Sequence, residues 1–89
     1  MIAVRVHVRG RVQGVSFRAW TKAGAEARGL SGWVRNEPDG SVAALIAGPE
    51  DAVQAMVAAL HEGPPRARVE AVEVEPAEAP VVPGFQVVR

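Results

Sequence analysis

Cysteine is absent from the 89-residue sequence. Its absence excludes a disulfide scaffold, a thiolate nucleophile and any cysteine-ligated metal, and it fits a reducing cytoplasm. Tyrosine is missing too, and the aromatic side chains are only Phe17, Trp20, Trp33 and Phe85. Sheet-based readers of single-stranded RNA stack bases on exposed aromatics, so this poverty argues against an RNA-binding use. The net charge is zero, with 10 basic and 10 acidic side chains, which gives little pull toward nucleic acid or anionic lipid. No apolar run approaches the roughly 20 residues of a membrane span. Met1 to Val4 leads straight into alternating sequence with Arg5 and Arg9, so no signal peptide is expected. An Arg-His-Gly triplet and an Asp-x-Asp pair are both lacking, which argues against the covalent phosphatase classes. His, Asp and Glu do not cluster at metal-ligand spacing, so no metal or other cofactor is expected.

What is present suffices for one domain, residues 1–89, without room for a second core. A chain of this size buries about 60–70% of its unfolded surface and folds without staples. Ile2, Val4, Val6 and Val8 alternate with Ala3, Arg5, His7 and Arg9, the period of a strand with one buried face, Met1 to Arg9. Phe17 to Arg28 reads as a helix with Phe17, Trp20, Thr21, Gly24 and Ala27 on one side and Gly29 closing it. Trp20 is assigned to the core, Ser16 to a helix cap, and Gly24 to close packing on the sheet. Ser31 to Asn36 and Ser41 to Ala47 form a hairpin about the turn Glu37-Pro38-Asp39-Gly40. Gly48-Pro49-Glu50-Asp51 starts a second helix, with proline in its first turn and acidic residues on the positive end of its dipole. Val53, Met56, Val57 and Leu60 supply its stripe, and Gly63-Pro64-Pro65 ends it. In the strand Arg68 to Glu75, Val72 and Val74 are in phase and Val69 is out of phase, which predicts a bulge. Pro76 to Pro83 is an irregular connector, and Phe85, Val87 and Val88 close the chain as a short edge strand.

The order β-α-β-β-α-β plus a short β predicts an α+β, ferredoxin-like βαββαβ sandwich. Its sheet is antiparallel, with two helices on one face and a short fifth edge strand. In that topology the first two strands are parallel with the third between them, so their C-terminal ends share one edge, roughly 10 Å apart. The glycine-punctuated stretch Gly10 to Arg18 leaves the first strand there, and Asn36 ends the second there, facing it. Such a loop aims backbone N–H groups at one point, and the following helix adds its dipole. Arg18 falls in the first helical turn, where its planar fork of donors suits phosphate oxygens. Arg5, Arg9, Arg11 and Arg18 crowd this quarter of the chain, while Glu70, Glu73, Glu75 and Glu78 gather near the other end. From spacing alone, a sharp chain reversal beside a solvated arginine is equally compatible. The loop is neither a Walker A motif nor a dinucleotide fingerprint.

The two segments Gly10-Arg-Val-Gln-Gly-Val-Ser-Phe-Arg18 and Gly32-Trp-Val-Arg-Asn-Glu-Pro-Asp-Gly-Ser-Val42 together resemble the acylphosphatase family. The resemblance extends over essentially the whole chain and points to the free-standing form. It implies hydrolysis of acyl phosphates to a carboxylate and inorganic phosphate, without metal or cofactor. The loop Gly10 to Ser16 would then cradle the phosphate. The phosphate-binding positions would be Gln13, Gly14, Val15, Ser16, Phe17 and Arg18, and the catalytic ones Arg18 and Asn36, with Asn36 orienting the attacking water. The implied partners are a small acyl phosphate, with inorganic phosphate as product and inhibitor. Nucleic acid and membrane are not among them, and the protein is expected to be a cytoplasmic monomer. The alternative is a non-catalytic anion-binding or regulatory module on the same fold.

Overall fold

The computed structural model describes residues 1–80 and 83–88. Its elements are β1 (Ile2–Arg11), α1 (Phe17–Ala27), β2 (Ser31–Asn36), β3 (Val42–Gly48), α2 (Glu50–Glu62), β4 (Arg68–Pro76) and β5 (Phe85–Val88). The sheet order is β4-β1-β3-β2-β5. Strand β3 is antiparallel to both β1 and β2, and β4 is antiparallel to β1. The ferredoxin-like arrangement is therefore the expected one. The short fifth strand lies at the edge as expected but pairs parallel with β2, from Gly32 opposite Phe85 to Arg35 opposite Val88, so the sheet is mixed. The Pro76 to Pro83 connector contains two residues, 81 and 82, outside the described set.

The register explains the single core. Val6 sits opposite Ala44 and Ala44 opposite Val34, while Val8 faces Val42. Period-2 alternation places these side chains on one face. The fully buried Val53, Met56 and Leu60 of α2 and Phe17 and Ala25 of α1 join the same cluster, so both helices cover that face. The buried stripe of α1 runs Phe17, Thr21, Ala25 at i, i+4 spacing; Ala27 lies exposed. Gly24 meets α2 rather than the sheet, since a Cβ there would lie 3.2 Å from Met56 Cε. Trp20 packs against the core with its ring centroid 5.5 Å from that of Phe17. Gly29 closes α1 as expected, with Leu30 N–H donating to Ala25 O at 2.9 Å. Pro49 occupies the N-cap of α2 rather than its first turn.

The other face carries Arg5, His7 and Arg9 of β1, Trp33 and Arg35 of β2, and Glu73 and Glu75 of β4. Trp33 lies between arginines, with the Cζ atoms of Arg35 and Arg5 at 4.6 and 5.4 Å from its ring centroid. Because β4 pairs with β1, the acidic end of the chain lies beside the basic strand. The charge asymmetry of the sequence is largely cancelled in space.

Strand β1 continues two residues past the expected end. Gly10 and Arg11 pair with Val69 and Arg68, and the register shifts between Arg9, opposite Ala71, and Gly10, opposite Val69. This is the bulge that the phase slip of Val69 predicts. Val72 is half-buried, whereas Val74, on the same edge strand, is exposed. At the bulge Gly10 has φ +131°, and a Cβ built on it would lie 2.1 Å from Arg68 O and 2.9 Å from Glu70 N. Arg68 is itself paired with Arg11, so its carbonyl cannot give way without disturbing the ladder. We predict that Gly10→Ala destabilises the protein by about 2–4 kcal/mol, a fall in thermal midpoint on the order of 10–20 °C. Gly14 also has positive φ, but nothing lies within 4 Å of a Cβ there, so Gly14→Ala costs only about 1–2 kcal/mol. Thermal melts of the two variants side by side check this; equal losses would count against the bulge contact.

Candidate active site

The loop between β1 and α1 hangs between two buried anchors, Val12 and Phe17, which are 1% and 2% exposed. Gly10 and Arg11 belong to the strand, so the candidate cradle shortens from Gly10–Ser16 to the residues between these anchors. Gly14 adopts φ +74° and Ser16 φ +63°, the latter the only non-glycine among the described residues with positive φ. Ser16 does occupy the N-cap of α1, but it makes no side-chain cap hydrogen bond. A capping serine ordinarily has β-region dihedrals that aim its oxygen at the first-turn N–H groups, and the left-handed backbone turns it away. The helix end is thereby left open. Among the described residues, no backbone carbonyl accepts from the N–H groups of Gln13 to Ser16, and the first helical bond is Trp20 N–H to Ser16 O at 3.0 Å. Phe17, Arg18 and Ala19 N–H groups precede that bond and have no intrahelical acceptor. A left-handed residue followed by helical ones curves successive N–H groups into an anion nest, and the dipole of α1 reinforces it.

Phe17 is itself core, so what it offers the nest is its N–H. Val15 packs partly against the core. Arg18, in the first turn of α1, is half-buried and forms no ion pair among the described residues. Arg9 and Arg35, by contrast, are engaged by Glu73, Asp39 and Glu37. Asn36 is the last residue of β2, half-buried and opposite Val42. The loop and the end of β2 are joined by a side chain whose own bonds sequence reasoning missed. Gln13 Nε2 donates to Glu37 O at 2.8 Å and to Ser41 O at 2.9 Å. Its signal in the sequence is faint: it is the one loop residue with a two-donor amide, set among apolar and glycine neighbours.

A second network braces the same turn from the open face. Ser41, 3% exposed, donates from Oγ to Asp39 Oδ1 at 2.5 Å, and its backbone N–H donates to the same oxygen at 3.0 Å. His7 Nε2 lies 2.5 Å from Ser41 Oγ. A hydroxyl has one proton, already given to Asp39, so His7 must donate from Nε2. The serine proton points at the carboxylate rather than at the imidazole, so this is no serine–histidine nucleophile pair. Arg9 continues the chain to Asp39 Oδ2 at 3.3 Å and to Glu73 Oε1 at 3.1 Å. The Ser41 hydroxyl first, its N–H second and Arg9 last hold the Asp39 carboxyl down to about 2 from an ordinary 3.8.

Comparison with known proteins gives the family and the fold. The acylphosphatase family model matches residues 4–87. An acylphosphatase of Rhodospirillum rubrum is 52% identical over 85 residues, covering 96% of this chain and 93% of that protein. One from Rhizobium meliloti is 54% identical over 90 residues, covering 98% and 93%. The crystal structure of acylphosphatase from Bacillus subtilis matches with a TM-score of 0.94 and 39% identity over 100% of both chains.

The depressed Asp39 carboxyl gives a pH prediction. The folded protein keeps Asp39 ionised down to about 2, whereas the unfolded chain takes up that proton near 3.8. Its contribution to stability is therefore present above the unfolded value and vanishes as the pH falls through the folded one. The gap in thermal midpoint between the wild-type protein and Asp39→Asn should be widest above about pH 5 and close toward about pH 2. Melting curves across that range test it, and a gap independent of pH would refute the assignment.

Proposed function

The chain belongs to the acylphosphatase family, and from that premise we propose that it is an enzyme hydrolysing acyl phosphates, with residues 1–89 as one acylphosphatase-like domain. The observation that carries the reading is the run of backbone N–H groups from Gln13 to Ala19, which among the described residues have no protein acceptor, on the segment that also carries Arg18, free of ion pairs among the same residues. A phosphoryl group bound there takes hydrogen bonds from the nest and a bidentate fork from the guanidinium. Its leaving group is a carboxylate, stable as the anion, so no side chain has to protonate it. The transition state for phosphoryl transfer is loose, with charge spread over the three equatorial oxygens. Preorganised N–H groups and Arg18 stabilise that charge more than the ground state. The Asn36 carboxamide, at the end of β2 opposite the loop, orients the attacking water in line with the bond that breaks. No strong base is needed. The carboxylate leaves with the electron pair of the breaking P–O bond, and inorganic phosphate departs last.

Turnover of an acyl phosphate beside a phosphate monoester, with and without chelator, is the primary test. Rapid hydrolysis of the first alone, unaffected by chelation, is the expected result. Phosphate binding without turnover of either would favour a regulatory module instead.

Arg18 and Asn36 should separate kinetically. Two charge-assisted hydrogen bonds amount to about 3–6 kcal/mol, so Arg18→Ala loses phosphate affinity and turnover together. Arg18→Lys recovers little, because an ammonium cannot supply the fork; a fully active lysine variant would contradict the bidentate geometry.

Asn36 contacts the reacting system chiefly in the transition state, so Asn36→Ala should reduce kcat by about 10²–10³-fold and bind inorganic phosphate nearly normally. Near-normal kcat, with a loss of thermal midpoint instead, would leave Asn36 only a turn-supporting role.

A further inference from the structure

The N–H groups of the nest lie on one segment and Asn36 on another, so a water held by Asn36 is in line only if the two segments keep a fixed separation. Their backbones come from different strands, β1 and β2, with β3 between them. We propose that Gln13 is the positioning residue that sets this separation, acting on turnover through Asn36. The inference rests on the role given to Asn36 above.

Two features of the contact carry it. First, the amide spends both of its protons on the carbonyl oxygens of Glu37 and Ser41, at 2.8 and 2.9 Å. Glu37 directly follows Asn36 in the chain, so the clamp holds the residue next to the water-orienting one. Second, the turn does not need Gln13 to close. Glu37 O already accepts from Gly40 N–H at 3.1 Å, and Ser41 O from Glu37 N–H at 2.8 Å. A carbonyl has two lone pairs, and Gln13 takes the second of each. The hairpin is also braced from its open face by Asp39, Ser41 and His7. On the other side, the loop keeps its buried anchors Val12 and Phe17 without the amide. Removing the Gln13 side chain therefore unfastens two intact pieces from each other rather than unfolding either.

The residue type follows from the same contact. Asparagine is one methylene shorter. Glutamate would set a carboxylate against two carbonyl oxygens, and lysine would add a charge beside the bound phosphate. Only glutamine brings two neutral N–H donors at that reach.

The test is a double-mutant cycle on the full chain, using Gln13→Met, which keeps the length of the stem and removes the donors. Thermal midpoint, affinity for inorganic phosphate, kcat and KM are measured for the wild-type protein, Gln13→Met, Asn36→Ala and the double variant. A displacement near 1 Å costs roughly 10²-fold in rate, so Gln13→Met should lose about 10–100-fold in kcat. Its backbone N–H is untouched, so phosphate affinity should stay within about threefold of wild type. In the Asn36→Ala background the further loss should be less than about threefold, since residues acting as a unit are non-additive. An unchanged kcat, an equal loss in both backgrounds, or a collapse of phosphate binding would each overturn the proposal. If Asn36→Ala itself kept its kcat, the role of Asn36 would fail and the proposal with it, a result distinct from the others. Should Gln13→Met not fold, Gln13→Glu takes its place in the cycle. It has the same length but is anionic and has no donor at neutral pH, and its lost turnover should partly return as acidification protonates the introduced carboxyl and restores one donor.

Discussion

The site depends on one constraint, the placement of β3 between β1 and β2, antiparallel to both. That arrangement makes β1 and β2 parallel and brings their C-terminal ends to one edge of the sheet. The strand in the middle must satisfy hydrogen bonds on both sides and lie under helices on one face. Its sequence fits that position: Val42, Ala43, Ala44, Ile46 and Ala47 are all buried, with small side chains on both faces. A polar or bulky residue at Ala44 would have to be accommodated against Val6 and Val34 at once. Everything beyond the sheet edge inherits its geometry from this pairing.

In the proposed reading, recognition at that edge is mostly main chain. The left-handed Ser16, which gives up its cap, leaves the first turn of α1 without acceptors among the described residues. Strain of this kind is tolerated only where the surroundings enforce it, and here the buried Val12 and Phe17 do so from either end. In the proposed reading Arg18, which forms no ion pair among the described residues, completes a site for a dianion. Arg9 and Arg35, by contrast, are tied to carboxylates. A nest with a single arginine suits a reaction in which charge redistributes on phosphoryl oxygens and the leaving group needs no proton.

Much of this was legible in the chain. The alternation from Ile2 to Val8, the turn at Pro38-Asp39-Gly40 and the stripe Val53, Met56, Leu60 are local patterns of period 2 or 3.6, and the elements follow them closely. Even the bulge in β4 showed as the misplaced phase of Val69. The departures arise where a partner distant in sequence decides. Gly10 and Arg11 look like loop because glycine interrupts the alternation, yet β4 offers them ladder partners. Gly24 was expected to pack closely on the sheet, but the approach of α2 makes Met56 its neighbour instead. The charge asymmetry along the chain was evident, and its cancellation by the pairing of β4 with β1 was not.

For the candidate site, residue types and order came from the sequence: a glycine-interrupted loop, an arginine in the first turn of a helix, an asparagine ending the next strand. These are properties of short segments, and local backbone preference and side-chain chemistry determine them. Tertiary structure alone decided which pieces meet. The bonds of Gln13 to Glu37 and Ser41 span 24 and 28 residues, and the contact of His7 with Ser41 spans 34. Such contacts exist only after β1, β3 and β2 have paired, because pairing sets the register that brings these groups within hydrogen-bond reach. The cap that Ser16 did not form belongs here as well. Its preference for capping is local, but the conformation that forbids it is imposed by the anchored ends of a loop lying on the finished core.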